Sequence, residues 1–474
     1  MFSHHLGRAL AIASAVLLSA CRTFTPDGGM ETVASVAGLG LSKNVVRISS
    51  PGDAALVRGE VARLLHAPLS AENAVQIALL NNPRLQAAYN RLGVAEAVAV
   101  QMSRPPLPSF AFDRVSTSIE LDVERQIVAS ILSLATWPAR SKIAGVRFEQ
   151  AELRAADETL RLAAETRRAY IQAVAARQIV SALDTAQSSA NASAMLAEKL
   201  TQTGAINKLD LARRQVFATE LEAQVAAARQ AAAATQERLT RLLGLWGGTD
   251  LAGLLPNALP AMPGKAWSLA AVERAAMGRR VDLAVARLEI EALARSYGLT
   301  RATRFVNVLD LGGISKTQKD KGEPKADGGG FTIAFEVPLY DFGRARVREA
   351  EQRYLEAVNS LGALAVDARS QAREAYGAYS SARAIVAKYE GEVLPLRQTI
   401  SAEVELQYNA NQVDAFALLE AARAKATAQV ASIEAKRNFW LAAADLSAVV
   451  LSGGGLSEES ATFAAADASA SAGH

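Results

Sequence analysis

The sequence predicts a mostly α-helical fold with a small β part, built as two tandem repeats. Half of the 474 residues are hydrophobic but only 5% are aromatic, and alanine supplies much of the apolar share. That composition is typical of long helices and provides few bulky side chains for a broad globular core. A seven-residue apolar repeat and two segments that alternate between apolar and polar residues complete the prediction.

The first 20 residues predict a secretory signal peptide, because a basic start at Arg8 precedes an apolar run over residues 9–18. That run has about half the length of a membrane-spanning helix. The following Leu18-Ser19-Ala20-Cys21 resembles the lipobox of bacterial lipoproteins, and this resemblance implies a covalent lipid on Cys21. Ordinary cleavage that leaves an unmodified thiol is the alternative.

Glycine, proline and the helical patterns divide the rest of the chain into a leader, two repeats, a linker and a tail. The predicted ranges are an extended N-terminal segment at 21–68, a first repeat at 69–249, a linker at 250–266, a second repeat at 267–452 and a disordered tail at 453–474. Each repeat contains helices, then a β-hairpin, then a coiled-coil pair. The hairpins are predicted at about 107–132 and 304–340, and the coiled-coil pairs at about 140–243 and 343–451.

The clearest strand signal lies at 118–132, where apolar residues alternate with Glu120, Asp122 and Glu124. Arg125 is an exception on the apolar side. The corresponding segment of the second repeat begins at Phe331, after a stretch at 315–330 that predicts a long hydrophilic loop. Such alternation predicts a sheet with one apolar and one wet face, so the three acids are candidate residues of a channel lumen.

Residues 140–203 contain no proline and predict one helix of roughly 95 Å, longer than a compact domain of this size holds. The return helix opens at Asn207 and carries an apolar residue at every seventh position from Leu211 to Leu239. The second repeat has two seven-residue series, one interrupted by polar residues and one unbroken. Pro395 predicts a kink or break in its first long helix. Antiparallel coiled-coil packing is therefore expected in both repeats.

Four strands are too few to close a barrel, and an open edge in hydrocarbon leaves backbone groups unsatisfied at several kcal/mol each. If the apolar faces meet lipid, other copies of the chain must complete the barrel. Three copies would supply twelve strands, enough for a water-filled passage. A soluble sheet that packs on the chain's own helices is the alternative.

Several classes of function are disfavoured by composition. The 51 basic and 48 acidic residues leave a net charge of +3, without the basic excess of a nucleic-acid-binding protein. With four histidines and one cysteine, a metal site or a Cys/His catalytic pair is hard to assemble. We therefore expect neither an enzyme nor a resident metal or cofactor, apart from the lipid.

In sequence order, several motifs resemble the TolC-type outer-membrane channel family, in particular its lipoprotein branch. They are Asn81-Asn82-Pro83-Arg84-Leu85, Thr203-Gly204, Val337-Pro338-Leu339-Tyr340-Asp341-Phe342-Gly343-Arg344 and the segment 408–419. The resemblance implies a homotrimer whose twelve strands form a barrel in the outer membrane of a Gram-negative bacterium. It also implies a periplasmic α-barrel that meets an adaptor protein and an inner-membrane transporter at its tip, and passive conduction of what the transporter delivers.

The resemblance places the docking and gating turns together at the periplasmic tip of the coiled coils, and it also gives a role to two aromatic residues. The tip candidates are Gly204, Ala205, Ile206, Asn207, Asn409, Asn411 and Asp414. Helix capping alone would explain Asn207 and Asp414, whereas a ring of three Asp414 carboxylates would favour cations. Trp137 and Tyr340 are candidate aromatics at the membrane boundary, with core packing as the alternative.

A lipid-anchored periplasmic coiled-coil scaffold or adaptor without a pore is the alternative function. It would not require two alternating hairpins beyond the coils. The transported substrate stays open in either case, since drugs, metal ions, lipids and proteins all leave through ducts of this family.

Overall fold

A computed structural model describes residues 23–246, 251–264, 266–320, 322–410 and 412–453. The chain divides into two compact units. Among these residues, the sheet unit comprises 23–32, Tyr89–Ala155 and Asp282–Leu364, and the helical unit comprises Val33–Ala88, Ala156–Val281 and 365–453.

The segment 255–268 separates two halves of the chain, and in each half two helices directly precede a pair of strands and long helices follow it. In the first half the helices are α1 (Met30–Leu41), α2 (Pro51–Leu65), α3 (Ala71–Asn81), α4 (Pro83–Met102), α5 (Ile131–Gln202), α6 (Lys208–Leu242) and the short α7 (Leu251–Leu254). In the second half they are α8 (Leu269–Arg279), α9 (Val281–Ala302), α10 (Arg344–Lys388), α11 (Leu394–Asn409) and α12 (Ala415–Leu451). No helix among the described residues combines the length and the apolar character needed to cross a bilayer.

The strands form one antiparallel sheet in the order β1-β2-β3-β4. Their bounds are β1 (Ser109–Ser116), β2 (Glu120–Ser130), β3 (Val308–Asp320) and β4 (Ala326–Glu336). The pairing joins the two hairpins through β2 and β3, from Glu120 opposite Asp320 to Ser130 opposite Asp310. A mostly helical fold with a small β part was therefore a correct prediction.

The prediction of an extended segment over 21–68 is wrong for α1 and α2. Ser50 caps α2: its Oγ accepts a hydrogen bond from the Asp53 amide at 3.1 Å, and the Asp53 carboxylate accepts one from the Ser50 amide at 2.9 Å. Pro51 occupies the first turn, where a proline costs no intrahelical hydrogen bond. Val57 and Val61 then lie buried on one face of the helix.

The long helix of the first half starts at Ile131, before the predicted start at about 140. Pro138 lies inside it and removes one amide donor. Side chains add hydrogen bonds to nearby carbonyls, since Thr136 Oγ1 donates to Leu132 O at 2.8 Å and Arg140 Nη2 donates to Ser133 O at 2.7 Å. Because β2 ends at Ser130 and α5 begins at Ile131, the chain passes from strand to helix without a turn.

The long hydrophilic loop predicted at 315–330 is also wrong, because most of that stretch belongs to β3 and β4. β3 continues to Asp320 and β4 begins at Ala326. Polar side chains are satisfied across the sheet: Lys316 lies 2.9 Å from the Asp122 carboxylate, and Gln318 Nε2 donates to Glu120 Oε1 at 3.1 Å. Partner strands, which local sequence does not reveal, therefore extend β3.

The seven-residue repeats mark the buried faces of the returning helices, as predicted. In α6, Ala218, Leu221 and Val225 are buried, and in α12 the unbroken alanine series from Ala421 to Val449 is buried throughout. Small side chains at these positions let neighbouring helices approach closely.

Pro395 interrupts the second long helix, again as predicted. The interruption is a π-helical turn over Tyr389–Val393, followed by α11 with the proline in its first turn. The Leu394 amide donates to Tyr389 O, five residues back, so the ladder is offset just before the residue that has no amide to donate.

Two asparagines between α3 and α4 tie this part of the helical unit to the end of α6. Asn82 Oδ1 accepts from the Arg84 amide at 2.8 Å and its Nδ2 donates to Leu242 O at 2.8 Å. Asn81 Nδ2 donates to Gly244 O at 2.8 Å. The Asn81-Asn82-Pro83 motif is thus a structural joint, which agrees with the predicted interruption of the helix there.

Candidate functional site

Register in the sheet places Glu120, Asp122 and Glu124 on one face of β2, as the alternation predicted. All three are half-buried. Asp122 forms an ion pair with Lys316, which lies across from Glu124. The structure therefore brings the three candidate lumen acids together and adds one cation, which sequence analysis had assigned to a loop.

The opposite face of the sheet is apolar and exposed along part of its length. Phe110, Phe331 and Phe335 are 76%, 78% and 73% exposed. Register aligns Phe110 with Ile127 and Phe331 with Gly313 on this face. An exposed apolar surface of this kind marks a contact with lipid or with another protein.

Strands β1 and β4 form the two edges of the sheet, and neither has a second partner strand among the described residues. Every strand edge carries amide and carbonyl groups that require water or another strand. The sheet therefore presents an apolar face and two open edges together.

The two strand-to-helix junctions differ. Trp137 lies within α5, where its Nε1 donates to Ser103 O at 2.9 Å, whereas Tyr340 is fully exposed in the turn before α10. Phe342 and Gly343 both take positive φ angles, 53° and 71°, in that turn. The two candidate membrane-boundary aromatics thus stand in different local structures.

Asp341 organises the second junction. Its carboxylate accepts hydrogen bonds from the Gly343 amide at 2.9 Å and from the Ala345 amide at 3.0 Å. A Cβ on residue 343 would overlap Arg304 O, so the turn requires glycine for space as well as for backbone angle.

The helical unit contains two tip turns with matching hydrogen bonds. The Ala205 amide donates to Leu200 O at 2.8 Å, and the Gln412 amide donates to Gln407 O at 2.8 Å. Both bonds span six residues, as in a Schellman motif. Gly204 has φ of 77°, the left-handed angle that such a turn uses.

Both predicted caps are confirmed. Asn207 Oδ1 accepts from the Asp210 amide at 2.8 Å and opens α6, while Asp414 Oδ1 accepts from the Ala417 amide at 3.0 Å and opens α12. Asn207, Asp414 and Asn409 are exposed, as are Gly204 and Ala205, and Ile206 is half-buried. A gating role for Asp414 stays a prediction.

Near the tip turns, α6 and α12 make contacts that the sequence did not predict. The Arg213 guanidinium lies 4.9 Å from the centre of the Phe416 ring, and the Arg423 guanidinium lies 5.4 Å from that of Phe217. Arg423 also forms an ion pair with Glu220. The seven-residue spacing gave no signal of these contacts, because all five residues lie beside the heptad series rather than in it.

A cavity of about 580 Å³ opens between the two helix pairs near the tips. Its lining mixes small and polar side chains, among them Ser193, Arg214, Ser401, Glu405 and Lys425. Arg214 Nη1 donates to Ser193 Oγ at 2.7 Å. The cavity is polar enough to be hydrated and lies beside the candidate docking turns.

Two of the predicted site residues, Cys21 and Asn411, lie outside the described residues, as do the signal peptide and the tail from residue 454. Within the described ranges, no three His, Cys, Asp or Glu side chains come close enough together to hold a metal ion.

Comparison with solved structures yields strong matches at low sequence identity. The Campylobacter jejuni CmeC outer membrane channel matches with a TM-score of 0.69 and 18% identity, over 84% of this chain and 88% of that chain. The chain has the TolC-type outer-membrane channel fold. The OprN outer-membrane channel matches this fold with a TM-score of 0.68 and 19% identity, over 89% of this chain and 96% of that chain.

The Neisseria gonorrhoeae MtrE outer membrane channel in its open state matches the same fold with a TM-score of 0.66 and 17% identity, over 83% of this chain and 89% of that chain. No protein-family model matches the sequence, and no curated protein is significantly similar to it. The outer-membrane channel fold therefore accounts for the motifs of the resemblance, which lie at its turns and joints.

Proposed function

We propose that the protein is the outer-membrane exit duct of a tripartite efflux or type I secretion-like export system. In this proposal two tandem repeats supply four strands, and three chains close a barrel of twelve strands. Substrate passes through it passively, driven by an inner-membrane transporter, and the chain performs no chemistry itself.

One observation carries the proposal: the sheet has an exposed apolar face, an acidic face and two open edges. Neighbouring copies would satisfy the edges, lipid would cover the apolar face, and water would fill the space beside Glu120, Asp122 and Glu124. Because Lys316 neutralises part of this charge, we expect a moderate cation preference.

The helical tips would meet a periplasmic adaptor. Gly204, Ala205 and Asn207 in one tip turn and Asn409 in the other are exposed, and the cavity between the helix pairs would give the adaptor a second surface. The contacts of Arg213 and Arg423 between α6 and α12 would hold the two pairs together. A lipid on Cys21 would anchor each chain in the outer membrane of a Gram-negative bacterium.

Two substitutions at neighbouring positions of β4 test the proposal. Ile333 is 55% exposed on the apolar face, and Thr332 lies on the acidic face. A lysine that meets lipid near the bilayer midplane costs about 2–4 kcal/mol, whereas one in a wet lumen costs little. Ile333→Lys should therefore abolish assembly into heat-resistant trimers, while Thr332→Lys should assemble and show a reduced cation preference.

The measurements are trimer yield in detergent and ion conductance in planar bilayers, with the unsubstituted protein as reference. Soluble monomers without conductance, equally stable with either lysine, would instead support the alternative of a periplasmic scaffold.

A further inference from the structure

Charge is sorted between the two faces of the sheet. The acidic face of the strands carries Asp113, Glu120, Asp122, Glu124, Asp310, Asp320 and Glu336. The same register places three cations, Arg114, Arg125 and Lys319, on the apolar face. Arg125 is the residue that broke the apolar alternation in the sequence.

The three cations are exposed, and none of them forms an ion pair with a carboxylate of the described residues. The acid on this face is Asp327, whose carboxylate lies 3.1 Å from Lys325 Nζ and accepts from Thr317 Oγ1 at 2.7 Å. The face therefore keeps a net positive charge.

The cations lie together near one end of the strands. Arg114 is opposite Val123, so it is a diagonal neighbour of Arg125, about 7–8 Å away between Cβ atoms. Lys319 is opposite Leu121, about 14 Å along β2 from Arg125. Long side chains can bring all three charges to one large head group.

Apolar side chains occupy the rows of this face that lie on the other side of Arg125 from Lys319. They are Phe110 on β1, Ile127 and Ala129 on β2, Leu309 and Leu311 on β3, and Phe331, Ile333 and Phe335 on β4. After β4, Leu339 is 70% exposed in the turn that precedes α10. Arg125 lies in the row next to Ile127 and Phe331, so the cations border the apolar rows, where lipid that covers these rows would present its head groups.

We propose that Arg114, Arg125 and Lys319 bind the phosphate groups of anionic lipids in the outer leaflet. This inference rests on the proposed function, because it requires the apolar face to meet lipid. Guanidinium groups bind phosphate with two parallel hydrogen bonds, and the acyl chains of the same lipid would cover the phenylalanines below. The Arg125 guanidinium lies 5.9 Å from the centre of the Phe112 ring, which holds it at this boundary.

The test is a lipid titration of the purified trimer in detergent, with bound lipid counted by native mass spectrometry. The probes are diphosphorylated lipid A, its dephosphorylated form and inorganic pyrophosphate. The variant is R114Q/R125Q/K319Q. The control is R348Q/R353Q/K388Q, which removes the same charge from exposed positions of α10.

We expect the unsubstituted protein and the control to bind diphosphorylated lipid A equally. The triple variant should bind it roughly 100-fold more weakly at low salt, about five-fold for each charge. Added salt should reduce the difference in lipid A affinity between the triple variant and the unsubstituted protein. Should the triple variant fail to assemble, R114Q and K319Q alone should each show the five-fold loss.

Equal affinity of the variant and the control for lipid A would overturn the inference, and so would binding of pyrophosphate as tight as that of the lipid. Conductance separates this outcome from failure of the proposed function. If the trimer conducts ions but the variant and the control bind lipid A equally, only the lipid site is refuted. Loss of conductance in every preparation refutes the duct as well.

Discussion

At the end of β2 the backbone passes directly into α5, whereas after β4 it turns through Phe342 and Gly343 before α10 begins. The first junction uses side-chain hydrogen bonds and keeps a proline inside the helix, and the second uses a backbone conformation that glycine permits. The same order of elements can therefore be held at equivalent joints by different local chemistry. Paired substitutions at four sets of corresponding positions, the junctions first, test how local chemistry holds each of them.

Gly343→Ala should have the largest effect. The added methyl group would overlap Arg304 O and force a left-handed residue, so we expect a loss of at least about 3 kcal/mol of stability. The matched change at the first junction, Ala139→Gly, lies in a helix and should cost no more than about 1 kcal/mol. Melting in detergent and trimer yield measure both, and equal losses would contradict the proposed difference.

A second comparison concerns the N-termini of two helices, α3 after the leader and α8 after the linker. Ser70 Oγ accepts from the Asn73 amide at 3.1 Å, whereas Ser268 occupies the same position before α8 without a side-chain cap. Ser70→Ala should cost about 1 kcal/mol, and Ser268→Ala only a few tenths. Denaturation midpoints of the two variants provide the measurement, and a larger effect at Ser268 would show that the caps are assigned wrongly.

A third comparison concerns pH. Burial opposes ionisation of Glu72, but hydrogen bonds and charges from Lys43 and Arg167, at 3.0 and 2.9 Å, prevail and lower its pKa. Its ionised form therefore stabilises the fold at neutral pH, and this contribution disappears as pH falls below the ordinary glutamate pKa towards the lowered one. Glu273 lies farther from its partners, 3.8 Å from both Arg369 and Arg373.

Glu72→Gln should thus lower stability by about 0.5–1 kcal/mol at pH 7 and by less near pH 3, since the pair is partly exposed. Glu273→Gln should change stability less at pH 7. Thermal melting between pH 7 and pH 3 checks both variants. A loss in Glu72→Gln that persists unchanged at low pH would exclude ionisation as its cause.

The tips should show the smallest change in stability. Asn207 and Asp414 cap equivalent helices through the same oxygen, so Asp414→Asn and Asn207→Asp should each shift stability by less than about 0.5 kcal/mol. If Asp414 forms an acidic ring at the entrance, its neutralisation should weaken cation preference, and the reciprocal change should strengthen it. Reversal potentials in bilayers measure this; unchanged selectivity in both variants would leave the two residues as caps only.

Sequence alone predicted features that depend on neighbours in the chain. The spacing from Asn207 to Asp210 and the alternation around Glu120 express local geometry, and both reappear in the structure. The Ser50-Pro51-Gly52-Asp53 capping box was equally local, but its proline and glycine were interpreted as breakers of structure.

Other features depend on partners that are distant in the chain. The extension of β3 to Asp320 requires β2 beside it, and the contact of Arg423 with Phe217 requires α6 beside α12. Arg125 was visible in the sequence as an exception to the alternation. Its grouping with Arg114 and Lys319 on one face follows only from the register of the strands.

The unequal lengths of the strands have a consequence for assembly. β1 has 8 residues and β4 has 11, and in the proposed trimer these two edges meet between subunits. The shorter strand limits how many backbone hydrogen bonds can join one chain to the next, so each intersubunit boundary is held by fewer of them than the β2–β3 ladder within a chain. Dissociation should therefore begin between chains, with the four-stranded unit of each protomer leaving as one intact piece.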